Sequence, residues 1–214
     1  MTPTVADLRG PARVLVVCRA NVCRSPTATL LLRRWLPNDS TIDMASAGWD
    51  AAAEGRWCPS ARALVHEDDD ARELAETHRA RLLDHEMVLA ADLVLAADRR
   101  SRAEVARRAA GHTAHLFTLT EAALLAAAVA ERRGADVHDL AQLVEEMDAA
   151  RGTVSLPQAR VSRWPGRSRP GIDIPDAHSS SPKIGHRWLN NHTYAVTAML
   201  GRSIAPAGRS GVPD

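Results

Sequence analysis

The stretch VLVVCRANVCRSP, residues 14–26, decides how the rest of the chain is read. The run RVLVVC, residues 13–18, is apolar without the polar alternation of a half-exposed strand, so it reads as a strand buried on both faces of a parallel sheet. It stops at Cys18 and runs into Arg19, Ala20, Asn21, Val22, Cys23, Arg24 and Ser25. Ser25 and Pro26 then have the chemistry of an N-cap and a first helical residue, opening the helix PTATLLLRRWL. A loop between a parallel strand and its helix lies beyond the carboxyl end of the strand, where α/β sheets bind ligands.

Three more strand candidates follow: TIDMASAG at 41–48, DLVLAAD at 92–98 and AHLFTL at 114–119. Helical patterns fall at 60–66, 99–109, 120–133, 137–151 and 184–201, with the acidic run HEDDD read as a solvated loop. Strands alternating with helices predict an α/β fold of three layers: a four-stranded parallel sheet flanked by helices, with a phosphate-binding loop after the first strand. The expected organisation is a short tail over 1–12, one domain over 13–201 with a long surface loop at 152–175, and a flexible tail over 202–214.

Lys and Arg number 27 against 26 Asp and Glu, a net charge of +1, which gives no reason to expect nucleic acid or an anionic membrane as partner. The opening residues lack the basic-then-apolar pattern of a signal peptide, and three cysteines are too few for a stapled secreted domain. A reduced, cytoplasmic protein is expected.

The chemistry of the opening loop follows from its residue types. Successive backbone N–H groups curling inward, with the N-terminus of the next helix, form an oxyanion cradle. Arg24 can grip two oxygens of a phosphate, and Cys18 lies at the base, where the same dipoles and Arg24 favour its thiolate. Ser25 can donate a hydroxyl hydrogen bond to that sulfur. A thiolate under a phosphate is a nucleophile placed for in-line attack on phosphorus. A general acid must come from a loop able to close over the substrate, and Asp173 and Asp176 are both candidates.

VLVVCRANVCRSPTA resembles the signature of the low-molecular-weight protein tyrosine phosphatase family, which also includes thioredoxin-type arsenate reductases. ASAGW, HRARLL (78–83), ADLVLAAD and DIPDAH (173–178) resemble further segments of that family in the same order, and the helical insertion before the last of them is similar to that of actinobacterial members. The resemblance implies that Cys18 forms a phosphocysteine intermediate, Arg24 binds phosphate, Asn21 holds the loop with support from His78, and Asp176 is acid and then base. It implies no cofactor and no metal. The expected substrate is a phosphorylated protein, with tyrosine favoured, or a phosphorylated small molecule; inorganic phosphate is the product. The alternative is an arsenate reductase using an external thiol, since no cysteine follows Cys58 to complete an internal relay.

This chain departs from the family in having Arg19 and Ala20 where Leu and Gly are usual, and Ala177 and His178 where an aromatic follows the acid. Trp49, Trp57 and His178 are the residues left to form a wall for a substrate ring. Cys23 is expected to protect Cys18 through a reversible disulfide, and Cys58 to be inert. The nine histidines show no metal-ligand spacing, and the basic run at 160–169 reads as a solvated insertion.

Overall fold

The structure, a computed structural model, describes residues 11–35, 42–133, 140–160, 169–179 and 182–204. Strands β1 (Ala12–Cys18), β2 (Ile42–Gly48), β3 (Leu93–Ala96) and β4 (Leu116–Thr118) form one parallel sheet in the order β2-β1-β3-β4. Helices α1 (Arg24–Arg33), α2 (Pro59–Arg62), α3 (Asp69–Thr77), α4 (His85–Leu89), α5 (Arg99–Arg108), α6 (Leu119–Arg133), α7 (Leu140–Ala149) and α8 (Pro182–Ile204) surround it. Short strands β5 (Ala159–Arg160) and β6 (Arg169–Pro170) pair antiparallel inside the long loop.

The unbroken apolar run of β1 is explained by two cores. Val14, Val16 and Cys18 face one, with Leu93, Leu95, Phe117 and the inner sides of α1, α6, α7 and α8. Leu15 and Val17 face the other, with Val94, Leu116, Val88 of α4 and Val105 of α5. Side chains alternate across a strand, so a strand between two helical layers needs apolar residues at every position. Truncating a buried side chain such as Phe117 at this centre costs about 3–5 kcal/mol.

The expected strands all form. The 1–12 boundary shifts, because Ala12 already pairs with Ile42 in β1, and residues 1–10 lie outside the described residues. The acidic run is largely exposed, and only its first part is a loop: Asp68 accepts the Ala71 backbone N–H at 2.8 Å and starts α3, which takes in Asp69 and Asp70. Asp84 and Asp98 start α4 and α5 in the same way, through Met87 and Ser101. Each is an N-cap bonding three residues on, a local signal that outweighs the polarity of the run. Thr118 and Glu121 form a capping box at the head of α6, with Glu121 N–H donating to Thr118 Oγ1 at 3.2 Å and Thr118 N–H to Glu121 Oε2 at 3.1 Å. The last helix runs to Ile204, past the expected boundary at 201; 205–214 and the basic segment 161–168 lie outside the described residues. Among the described residues no helix is long and apolar enough to cross a membrane.

The loop of 18–24 sits at the carboxyl end of the central strand pair. β1 and β2 end in register, Cys18 opposite Gly48, and β3 hands its chain to Asp98 beside them. The three strand ends thus converge on one point of the sheet edge.

Candidate active site

The shape of the loop is set by Asn21, which takes the left-handed backbone conformation at φ 54° and is fully buried. Asn is among the few side chains that tolerate this region. Its amide is completely used: Nδ2 donates to Ser25 Oγ at 3.0 Å and Ser46 Oγ at 2.8 Å, while Oδ1 accepts the Arg81 N–H at 2.9 Å. His78 Nε2 donates to the Asn21 carbonyl at 2.7 Å. Burial holds the His78 pKa below the usual imidazole value, against the raising effect of that carbonyl. Gly48 is required beside the loop: a Cβ there would lie 2.5 Å from the Arg19 carbonyl, 2.8 Å from Asn21 N and 2.9 Å from the Ala20 carbonyl carbon. Those are backbone atoms, which cannot rotate away.

This frame fixes Cys18. Its sulfur accepts the Asn21 N–H at 3.3 Å and lies 3.0 Å from Ser25 Oγ. Ser25 Oγ accepts from Asn21, which leaves its own proton for the sulfur. Ser25 is therefore not the helix cap: Cys23 holds that position without a side-chain bond, and α1 begins at Arg24.

Arg24 is 7% exposed. It pairs with Asp98, donates to the Ile174 carbonyl at 3.5 Å and lies 3.9 Å from the Asp176 carboxylate. Burial opposes its charge, but Cys18, Asp98 and Asp176 together raise its pKa above the ordinary value. Burial likewise pushes Asp98 up, and Arg24 and Ser101 outweigh it, leaving the carboxyl below its usual range. Asp98 was not among the residues expected at the site. Its signal was positional: it is the second residue past the end of β3 on the ligand-bearing edge.

The two acid candidates separate. Asp173 is taken up by Arg99, whose Nε donates to both carboxylate oxygens, Oδ1 at 3.2 Å and Oδ2 at 3.1 Å, whose Nη2 donates to Oδ2 at 2.8 Å, and whose backbone N–H donates to Oδ1 at 2.8 Å. With the Ile174 N–H donating to Ala97 O at 2.8 Å, this ties the loop to the end of β3. Asp176 faces Arg24 and is 41% exposed at the side chain.

Of the three wall candidates, Trp57 is excluded. It is 3% exposed, packs with Leu30 and Ala71, and donates its indole N–H to Thr27 Oγ1 at 3.0 Å. Trp49 follows Gly48 at the rim, half-buried, with its N–H on Ser101 Oγ at 3.2 Å. The guanidinium of Arg100 lies 4.9 Å and that of Arg19 5.8 Å from its ring centre, and Arg19 also pairs with Asp50 at 2.9 Å. His178 is exposed and follows Asp176 by two residues, its N–H donating to Asp176 Oδ1 at 3.0 Å.

Cys58 is not isolated, as its sequence context suggested. It lies against Cys23 and 3.2 Å from His186 Nε2, and its thiol pKa is pulled down to about 4, chiefly by the hydrogen bond with Cys23, which is correspondingly pushed up. Nor are the histidines scattered in space: His178 and His186 meet edge to face at 4.9 Å between centroids. The two histidines lie at least 120 residues after the two cysteines, and that separation hid the grouping.

The geometry, a buried sulfur under inward-facing donors with a guanidinium and a carboxylate opposite, suits nucleophilic displacement at a tetrahedral oxyanion. A sequence profile of the low molecular weight phosphotyrosine protein phosphatase family matches residues 13–150. The chain belongs to this family, and with it to the cysteine-dependent hydrolases of phosphomonoesters. It is 39% identical over 109 residues, half (50%) of this chain and 70% of the relative, to the "Probable low molecular weight protein-tyrosine-phosphatase EpsP" of Ralstonia nicotianae strain ATCC BAA-1114 / GMI1000. It is 29% identical over 109 residues, with the same shares of 50% and 70%, to the "Protein-arginine-phosphatase" of Bacillus subtilis strain 168. Its fold is similar to that of Vibrio vulnificus Wzb in complex with benzylphosphonate, at TM-score 0.56 and 19% identity, covering 91% of this chain and 100% of that one.

Proposed function

We propose that the chain dephosphorylates phosphotyrosine in proteins, with Cys18 as nucleophile, Arg24 as phosphate ligand and Asp176 as acid and base. One observation carries the reading: the Cys18 sulfur sits under the Asn21 N–H and the Ser25 hydroxyl, while Arg24 and the Asp176 carboxylate stand together, 3.9 Å apart. In the first step the Cys18 thiolate attacks phosphorus and the ester P–O bond breaks. The Asp176 carboxyl gives its proton to the leaving oxygen. In the second step the Asp176 carboxylate takes a proton from water, whose oxygen attacks phosphorus. The S–P bond breaks, releasing inorganic phosphate and the thiolate. Arg24 and the loop N–H groups bind the equatorial oxygens throughout. The profile match ends at residue 150, so the role of Asp176 rests on its position beside Arg24 and not on the match.

Trp49 supports an aromatic leaving group. It is the indole at the rim, and two guanidinium groups already lie over it. A phenyl ring meets no charge conflict there, whereas the guanidinium of a phosphoarginine would meet like charge.

The test is turnover of p-nitrophenyl phosphate, a phosphotyrosyl peptide and a phosphoarginyl peptide by wild type, Cys18→Ser and Asp176→Ala. Cys18→Ser is expected to abolish turnover, and Asp176→Ala to lower kcat on the order of 10²-fold. The phosphotyrosyl peptide should exceed the phosphoarginyl one by about tenfold in kcat/KM. The opposite preference would overturn the substrate class. Thiol-dependent arsenate consumption without phosphatase turnover would overturn the reaction.

A further inference from the structure

Four chain segments bring two sulfurs and two imidazoles to one place behind the phosphate loop. Cys23 stands at the head of α1, immediately before Arg24. Cys58 stands at the head of α2, and its N–H donates to the Val22 carbonyl at 2.7 Å, which holds the two cysteine-bearing turns together. His178 lies in the short 3-10 turn Ala177–Ser179 after Asp176, and His186 lies in the first turns of α8. One donor atom from each of the four can be chosen so that all lie within 4.8 Å of one another.

We propose that Cys23, Cys58, His178 and His186 bind one zinc ion in a closed tetrahedral site. Two thiolates and two imidazoles are a complete ligand set for structural zinc, which needs no further group. Zinc–sulfur bonds of about 2.3 Å and zinc–nitrogen bonds of about 2.0 Å place tetrahedral donors about 3.3–3.8 Å apart. The Cys58–His186 edge, 3.2 Å, is close to that value, and the longest separation, no more than 4.8 Å, requires a contraction of about 1 Å. Three of the ligands come from packed positions: Cys23 and His186 are buried and Cys58 is half-buried. His178 is exposed and can swing in last. On binding, each coordinating thiol loses its proton to water, and both rings ligate as neutral imidazole.

The site has a structural consequence at the catalytic loop. Cys23 adjoins Arg24, and His178 follows Asp176 by two residues. A zinc ion joining them fixes the loop of residues 174–178 over the phosphate loop, and it also withdraws the Cys23 thiolate from reaction with Cys18.

The test needs no substrate, so its outcome is independent of the proposed activity. Untagged wild-type protein is titrated with cobalt(II) and then with zinc in the presence of a chromophoric chelator, beside Cys18→Ser, Cys58→Ser, His178→Ala and His186→Gln. Expected are one metal per chain, the intense visible bands of tetrahedral cobalt with a thiolate charge-transfer band, and displacement of cobalt by zinc. Cys18→Ser should bind like wild type. His178→Ala, changed at an exposed side chain that leaves the fold intact, should weaken zinc at least about tenfold, and Cys58→Ser should remove the charge-transfer intensity of one sulfur. A cobalt spectrum of octahedral type, binding unaffected by His178→Ala, or binding lost in Cys18→Ser would overturn the proposal. The last result would place the metal on the nucleophile.

Discussion

The conformation of Asn21 is the feature on which the site geometry depends most heavily, and its contribution can be separated into two parts. Asn21→Ala removes three buried side-chain hydrogen bonds, to Ser25, Ser46 and the Arg81 N–H. At about 1 kcal/mol net for each, this comes to about 3 kcal/mol. Alanine at φ 54° adds about 1 kcal/mol, since it lacks the local tolerance of Asn for the left-handed region. The total is about 4 kcal/mol, which for a domain of this size lowers Tm by about 8–16 °C. Asn21→Gly loses the same bonds without the backbone strain and should be about 1 kcal/mol more stable than Asn21→Ala. The assay is equilibrium urea unfolding of all three proteins with a shared m value, followed by aryl phosphate hydrolysis. Both variants loosen the N–H donor on Cys18 and the hydroxyl of Ser25, so kcat should fall on the order of 10²-fold. If Asn21→Gly were no more stable than Asn21→Ala, or if both lay within about 1 kcal/mol of wild type, the reasoning would be refuted.

Gly48→Ala drives a Cβ into the backbone of Arg19, Ala20 and Asn21; a loss of about 1–3 kcal/mol is expected. Turnover should fall with it, and a variant of full activity would show that the loop is not held by this contact. Asp173→Asn breaks the forked pair with Arg99, which is 55% exposed at its side chain, so stability should change by less than about 1 kcal/mol. kcat for aryl phosphate should nevertheless fall several-fold as the loop bearing Asp176 loses its anchor; an unchanged kcat would count against that anchoring. His78 has a pKa below its ordinary 6.5 in the fold, through burial. The unfolded chain therefore binds the extra proton first, and the stability of the neutral ring is fully present above the unfolded value and declines as pH falls below it. Burial also lowers His115 and His192, so the wild-type urea midpoint should drop from about pH 7.5 to about pH 5.5, and less steeply in His78→Gln. Equal slopes in the two proteins would remove His78 from that account.

Arg24 keeps its charge beside the loop because two carboxylates offset its burial. A guanidinium 7% exposed needs compensating charge, and Asp98 and Asp176 supply it from two different loops. Arriving phosphate can take over part of that role. Asp98 also accepts the Ser101 N–H at 2.6 Å, so the carboxylate that orients Arg24 is itself fixed by the start of α5. Removing Asp98 would therefore disturb a helix cap and the position of Arg24 together.

Local sequence determined the strand, the loop and the helix around Cys18, since an apolar run closed by Cys, Arg and Ser-Pro leaves few other readings. It likewise determined the four parallel strands, because a period of buried residues and its interruptions are properties of neighbouring positions. Where local reading of an element start erred, the reason was a competing local bond: Ser25 looks like an N-cap, but its hydroxyl is aimed at Cys18, and the solvated acidic run looks like loop throughout, but Asp68 starts a helix within it. Only the tertiary structure could decide which of Asp173 and Asp176 faces Arg24, that Trp57 is core while Trp49 is rim, and that Asp98 pairs with Arg24. The grouping of Cys23 and Cys58 with His178 and His186 belongs to the same class. These are contacts between residues tens to more than a hundred positions apart. Their distances are set by how helices pack on the sheet, and no spacing within the chain encodes them.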